Sequence, residues 1–379
     1  MPITRKILIV IGTRPEAIKL APVVTALRAT PGFDVRVLAT SQHRELLDQM
    51  LEVFGIKPDL DLDIMQPNQT LSALTSRLLV RLDEVFRSEA PDAVIAQGDT
   101  TTVMTAALSA FYLRIPFGHV EAGLRSGNLD SPFPEEMNRI VAGHLTRWHF
   151  APTTAASANL RAEGIPEASI LVTGNTVIDA LLDVSKRCDA AVPRVPPGRR
   201  LILVTAHRRE NFGEPMARVF RAIRHLAETR SDVHFIYPVH PNPNVRALAA
   251  EILSGHPAIE LVEPLDYVAF VAAMSAAHII LSDSGGVQEE APALAKPLLV
   301  LRHETERPEA LAEGVVRLVG TDRDAIIAET TRLLDDAAAY RAMARGVSPY
   351  GDGQAARRIA RHLAADLLAS DRLPASSLA

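Results

Sequence analysis

The chain has 379 residues, a net charge of −5, 47% apolar residues and 22% charged residues. This length accommodates two domains that each bury a core, and the acidic balance argues against a general nucleic-acid binder. One cysteine, Cys188, excludes an intrachain disulfide and, with no signal-peptide pattern, fits a reducing cytoplasm.

The run Lys6–Ile11 breaks at Gly12. It is too short for the apolar core of a signal peptide and reads as a first strand. Pro15–Leu27 follows at helical spacing, and Val35–Thr40 is the next strand. Ser72–Arg87 and Thr102–Tyr112 read as helices, with strands at Ala93–Gln97, Phe117–Val120 and Ile170–Thr173. Short apolar strands between amphipathic helices predict a parallel sheet covered on both faces.

The stretch Ser185–Arg200, rich in Pro and charge, is the linker candidate. The alternation then restarts with strands at Leu201–Thr205, Val233–Pro238, Ile259–Val262, His278–Ser282, Pro297–Leu301 and Val315–Val319, and ends in a helix, Gly353–Leu368. Two doubly wound domains would place ligand sites at the carboxyl ends of their strands, facing a cleft. No apolar stretch approaches the ~20 residues that cross a bilayer. There is no Gly-x-Gly-x-x-Gly after a strand, no P-loop, no zinc-type Cys/His spacing and no His-Glu-x-x-His. NAD, ATP and a metal are therefore not expected, and no cofactor is.

Five strand ends carry chemistry. Gly12-Thr13-Arg14-Pro15-Glu16 opens a helix whose amides favour an anion, with Arg14 and Lys19 adding positive charge. Asp99 in Gly98-Asp99-Thr100 stands at the end of a strand, either facing the cleft or capping the next helix. Glu121 ends the strand after His119, and Glu135 opens a helix after a Pro-rich loop. Asp99, Glu121 and Glu135 on one rim suit proton transfer at carbon. Helix-start acids that complement the dipole are the alternative, and that reading suits Glu135 better than Glu121. His207-Arg208-Arg209 at the first strand end of the second half would meet phosphate, or would be a charged surface loop. Ser282-Asp283-Ser284-Gly285-Gly286 runs from strand to helix, so the backbone can approach a diphosphate. Glu290 one turn on could accept from ribose hydroxyls, and Arg307 could balance the anion.

Taken together, GTRPEAIKLAP, SQHRELLDQML, GDTTT, HVEAGLRSG, SPFPEEMNR, GNTVIDAL, AHRREN, YPVHPNPNV, SDSGGVQEEAP and TERPEA fall in order from residue 12 to 310. With Pro349-Tyr350-Gly351-Asp352-Gly353 beyond them, they resemble the non-hydrolysing UDP-N-acetylglucosamine 2-epimerases. The resemblance implies an α/β glycosyltransferase-B-like fold of two Rossmann-like doubly wound domains. Residues 1–184 would carry the acid/base groups and 200–356 would bind UDP, with a last helix at about 357–379 packing back on the first domain. It implies Asp99, Glu121, Glu135 and His207 as catalytic residues. Arg14, Lys19, Phe270 (against uracil), Ser284, Gly285, Gly286, Glu290 and Arg307 would be substrate contacts. Gln42, Gln69, Arg208 and His240 match positions linked to an effector sugar nucleotide. The implied activity is reversible C2 epimerisation of UDP-N-acetylglucosamine by elimination and re-addition of UDP, in a homodimer. A glycosyltransferase of the same fold, a hydrolysing 2-epimerase and a non-catalytic UDP-sugar sensor are the rival readings.

Overall fold

In the computed structural model the described residues are 4–40, 44–64, 66, 69–188, 192–305 and 307–369. The chain forms two compact units. The first comprises Met1–Ala180 with Tyr350–Ala379, and the second Leu181–Pro349.

Among its described residues the first unit has seven strands: β1 (Arg5–Ile11), β2 (Phe33–Ala39), β3 (Leu60–Asp61), β4 (Ala93–Gln97), β5 (Phe117–Val120), β6 (Trp148–Ala151) and β7 (Ile170–Val172). Their order is β3-β2-β1-β4-β5-β6-β7, and all pairs are parallel. Parallel strands are joined by helices that cover both faces, so central strands read as unbroken apolar runs. Ile7 to Ile11 are fully buried for that reason. The helix Leu71–Glu89 turns Leu74, Leu78, Leu82 and Phe86 inward at four-residue spacing. Each such side chain contributes roughly 1.5–3 kcal/mol by burial. Strand β6 escapes the sequence pattern because Trp-His-Phe-Ala has no β-branched residue, yet all four positions are buried.

Among its described residues the second unit has six strands: β8 (Arg200–Thr205), β9 (Val233–Pro238), β10 (Ile259–Val262), β11 (Ile279–Ser282), β12 (Leu298–Val300) and β13 (Val316–Leu318). Their order is β10-β9-β8-β11-β12-β13, again all parallel.

Each sheet reverses its winding once, between β1 and β4 in the first unit and between β8 and β11 in the second. Chains leaving neighbouring strands there diverge to opposite faces, which opens a crevice at the carboxyl ends. All five chemistry-bearing turns of the sequence follow β1, β4, β5, β8 or β11.

The last helix, Ala355–Leu367, packs on the helix Arg14–Arg28 of the first unit. Asp179 receives its first amides, from Ala355 (3.2 Å) and Ala356 (2.9 Å), and Trp148 donates to Asp366 at 2.8 Å. The expected extension of this helix beyond residue 369 lies outside the described residues. No helix among the described residues is long and apolar enough to cross a membrane.

Candidate active site

In the first unit the β1 turn is packed tightly. A Cβ on Gly12 would stand 2.8 Å from the Thr102 hydroxyl and 3.0 Å from that of Thr40, so only glycine fits. Thr13 caps the following helix, and Glu16 folds back three residues on, the spacing of a capping box. Its carboxylate accepts from the amides of Gly12 and Thr13 and from the Thr100 hydroxyl at 2.7 Å. Burial raises Glu16 from 4.5 to about 7, against these hydrogen bonds, and the charge of Asp99 adds to the rise. One carboxylate thus ties the β1 turn to the β4 turn. Arg14, on the same turn, is exposed.

Lys19, one turn further along that helix, reaches Glu121 at 2.6 and 2.7 Å. Glu121 follows β5 directly and has a φ of +65°, a left-handed conformation unusual for a non-glycine residue. Its carboxylate also accepts from Gln97, the last residue of β4, and from Asn175 at 2.8 Å. The register brings these elements together, since Gln97 pairs with Val120 across the two strands.

Asp99 does not cap the helix Thr101–Tyr112; Thr100 does, accepting from the Val103 amide. That leaves the Asp99 carboxylate for Arg139, at 2.6 and 2.9 Å, while Asn138 holds the Asp99 carbonyl at 2.9 Å. Burial pushes Asp99 up, Arg139 opposes it, and the neighbouring Glu121 pushes it up further. Asp99 and Glu121 are therefore electrostatic neighbours with different surroundings, one facing arginine and the other lysine.

Glu135 is half-buried at the first turn of the helix Glu135–Leu145. The structure joins the next residue, Glu136, to Asp99 through their shared partner Arg139 (3.0 Å). Glu136 also accepts from the amides of Ser126 and Gly127 at 2.9 Å and so braces the preceding loop. His119 is buried with Nε2 on the Gly98 carbonyl at 2.7 Å, and burial depresses it to about 4. It is a neutral strut beneath the Asp99 turn.

In the second unit, fully buried Asp283 organises the switch point. It accepts from the amides of His207 and Arg208 at 2.9 Å and from Asn211 at 3.2 Å, which fixes the β8 turn against the β11 turn. The His207 ring lies 3.4 Å from Asp283 and stacks on His240, with centroids 5.5 Å apart. Burial lowers the His207 pKa; Asp283 works against that, while His240 and Arg208 add to it.

Ser284 precedes the helix Gly285–Ala293, whose first turn is two glycines. A Cβ on Gly285 would lie 3.1 Å from an Arg307 guanidinium nitrogen and 3.4 Å from one of Arg208. Two guanidinium groups thus flank the start of a helix, where free amides and the dipole favour an anion. Arg307 is oriented by Glu289 at 2.6 Å. Glu290 is buried one turn on, and its charge adds to the burial that raises the Tyr267 phenol. Phe270 is half-buried on the helix Tyr267–Ala276 that Tyr267 opens. Ser284, Gly285, Gly286, Arg307, Arg208 and His207 therefore gather at one switch point. Of the four effector positions, Gln42 lies outside the described residues. Gln69 accepts from Arg77, and exposed His240 accepts from the Asn242 amide at 3.2 Å. Among the described residues no group of three His, Cys, Asp or Glu could hold a metal ion.

The sequence reading did not single out Glu16, Gln97, Asn138, Arg139, Asn175 or Asp283 for a role. Only Glu16 carried a local signal, its capping-box spacing to Thr13.

The sequence model of the UDP-N-acetylglucosamine 2-epimerase family matches residues 25–364. The UDP-N-acetylglucosamine 2-epimerase of Escherichia coli K12 is 50% identical over 364 residues, covering 93% of this chain and 97% of that protein. That of Bacillus subtilis is 50% identical over 360 residues, 94% of each chain. The crystal structure of the Neisseria meningitidis enzyme bound to UDP-GlcNAc superposes with a TM-score of 0.82 at 48% identity, over 94% of this chain and 99% of that one. A glycosyltransferase structure at 13% identity and TM-score 0.67 shares the fold alone. Identity near one half along nearly the whole chain, with both sheets intact, leaves no ambiguity of kinship: the chain belongs to the UDP-N-acetylglucosamine 2-epimerase family.

Proposed function

We propose that the chain interconverts UDP-N-acetylglucosamine and UDP-N-acetylmannosamine by eliminating UDP and adding it back. The C2 hydrogen of the sugar has no adjacent carbonyl and is not acidic. Cleavage of the C1–O bond, with the electron pair leaving on UDP, makes C1 cationic and C2–H acidic. A carboxylate takes that proton and the C1–C2 double bond of 2-acetamidoglucal forms. Re-addition reverses both steps, with the proton delivered to the opposite face of C2. No water is consumed and no hydride moves.

The observation that carries this reading is the pairing of Asp99 with Glu121 at the ends of neighbouring strands. Two faces need two acid/base groups in opposite protonation states. Asp99, pushed up by burial and by Glu121, suits the proton-bearing role, whereas Glu121 facing the Lys19 ammonium suits the base. Glu135 is the third candidate. Each such group contributes roughly 10²–10⁴-fold to rate. The departing diphosphate needs hydrogen-bond donors and positive charge: His207, its pKa lowered by burial, supplies a ring N–H, and Arg307 and the helix start at the Ser284–Gly286 amides supply the charge. Arg14 adds to it, Phe270 would pack on uracil, and Glu290 would hold the ribose. A glycosyltransferase would need the anion-binding half but not two coupled carboxylates.

Turnover of UDP-N-acetylglucosamine in D₂O, followed by NMR without an acceptor, tests the proposal. The expected product is UDP-N-acetylmannosamine carrying deuterium at C2. Product free of deuterium removes the elimination route, and free N-acetylmannosamine indicates a hydrolysing enzyme. By the same resemblance we infer a cytoplasmic homodimer with UDP-N-acetylglucosamine as effector at Gln42, Gln69, Arg208 and His240. Initial rates should rise sigmoidally with substrate; a hyperbola with a monomeric sedimentation coefficient contradicts both.

A further inference from the structure

We propose that Asn175 is a positioning residue for the Glu121 carboxylate, and that Tyr350 and Gly351 hold Asn175 in place. The proposal rests on the functional reading above, in which Glu121 exchanges a proton with the sugar.

Asn175 is 4% exposed and sits between β7 and the helix Thr176–Ser185. Its side-chain oxygen accepts from the Val177 amide at 3.1 Å and opens that helix. This fixes the orientation of the amide, because the NH₂ group must then point the other way. There it donates to Glu121 at 2.8 Å, on the oxygen that Lys19 reaches at 2.6 Å. The cation and the amide together set where one carboxylate oxygen lies.

The backbone of Asn175 is held from a remote part of the sequence. Its N–H donates to the Tyr350 carbonyl at 2.6 Å. Gly351 has a φ of +148°, and a Cβ there would lie 3.3 Å from the Asn175 nitrogen and 3.6 Å from the Gly174 Cα. Gly174, with a φ of +89°, meets Gly351 in turn: its own Cβ would stand 3.2 Å from the Gly351 Cα. Two glycines in contact let the backbones touch, and a side chain on either would force them apart. Asp179 fixes the other end of the returning segment by capping the helix Ala355–Leu367. The segment by which the chain re-enters the first unit therefore bears on Glu121 through the Asn175 side chain.

Asn175→Asp tests this with little change in shape. The aspartate keeps the acceptor for Val177, loses the donor to Glu121, and sets a second carboxylate against it. Two carboxylates so close share a proton, which raises one of them. The expected result is a kcat lowered roughly 10–100-fold, the effect of losing one hydrogen bond to a charged group. KM should change little, and the acid limb of the kcat profile should move to higher pH. The thermal midpoint should fall modestly near neutral pH, since a proton held between two buried carboxylates costs folding stability there, while the protein still unfolds cooperatively. Gly351→Ala, away from the substrate, should lower kcat in the same direction by a smaller factor. Wild-type rate and pH profile in Asn175→Asp would overturn the proposal. So would a collapse of its thermal midpoint, which would assign Asn175 to the fold alone. A wild-type protein with no epimerase turnover would instead overturn the functional reading, and this inference with it.

Discussion

Glu16→Gln removes one ionisable group from the first unit while keeping its shape and hydrogen bonds. Glu16 is 2% exposed, with one carboxylate oxygen on the amides of Gly12 and Thr13 and the other on the Thr100 hydroxyl. The carbonyl oxygen of glutamine can take both amides, and its NH₂ can donate to Thr100, whose hydroxyl then accepts. What changes is titration. Burial lifts Glu16 from 4.5 to about 7 in the native state. Below pH 4.5 native and unfolded chains both hold the proton, so the site does not favour either. As pH rises from 4.5 towards 7 the unfolded chain releases the proton and the native chain keeps it, so wild-type stability declines. Above pH 7 the full cost stands. A gap of about 2.5 pH units at about 1.36 kcal/mol each gives about 3 kcal/mol. Glutamine has no such loss, so the variant should gain about 3 kcal/mol on the wild type between pH 4.5 and pH 8. The protein has one tryptophan, Trp148, buried in β6, so urea unfolding followed by its fluorescence reports the first unit alone. Parallel stability curves for the two proteins across that range would show that Glu16 titrates normally, and the argument from its burial would fail.

Arg307→Ala takes away one of the two guanidinium groups beside Gly285. A hydrogen bond to a charged group contributes about 1.5–3 kcal/mol, so calorimetry should find UDP bound roughly 10–100-fold more weakly; unchanged affinity would remove Arg307 from the phosphate site. Gly123→Ala addresses stability. Gly123 has a φ of +89° and a Cβ there would lie 2.3 Å from the Ala156 carbonyl oxygen, so backbone strain and overlap act together. A loss of at least about 3 kcal/mol is expected in Trp148-monitored unfolding, and a variant as stable as the wild type would mean the β5 turn can shift to make room.

How legible the site was depends on how far each residue's partner lies along the chain. Strands such as Ile7–Ile11 announce themselves because a sheet covered on both faces demands apolar side chains at every position. Turns such as Ser284-Gly285-Gly286 do so because only small residues bring backbone to an anion. Glu16 was half-visible, since its spacing to Thr13 is local, but its bond to Thr100 spans 84 residues and leaves no trace in either neighbourhood. Glu121 stood out as an acid at a strand end. Nothing near it in sequence indicates that Lys19, Gln97 and Asn175 converge on its carboxylate, because that convergence is produced by the β1-β4-β5 strand order and by the register of Gln97 against Val120. Asp99 shows the same principle in reverse. Its sequence suits a helix cap as well as a catalytic acid. The choice is made by Thr100, which takes the cap and leaves Asp99 to Arg139, 40 residues away. Local pattern thus locates the strand ends at which chemistry is possible, while topology decides which partners each acid meets there.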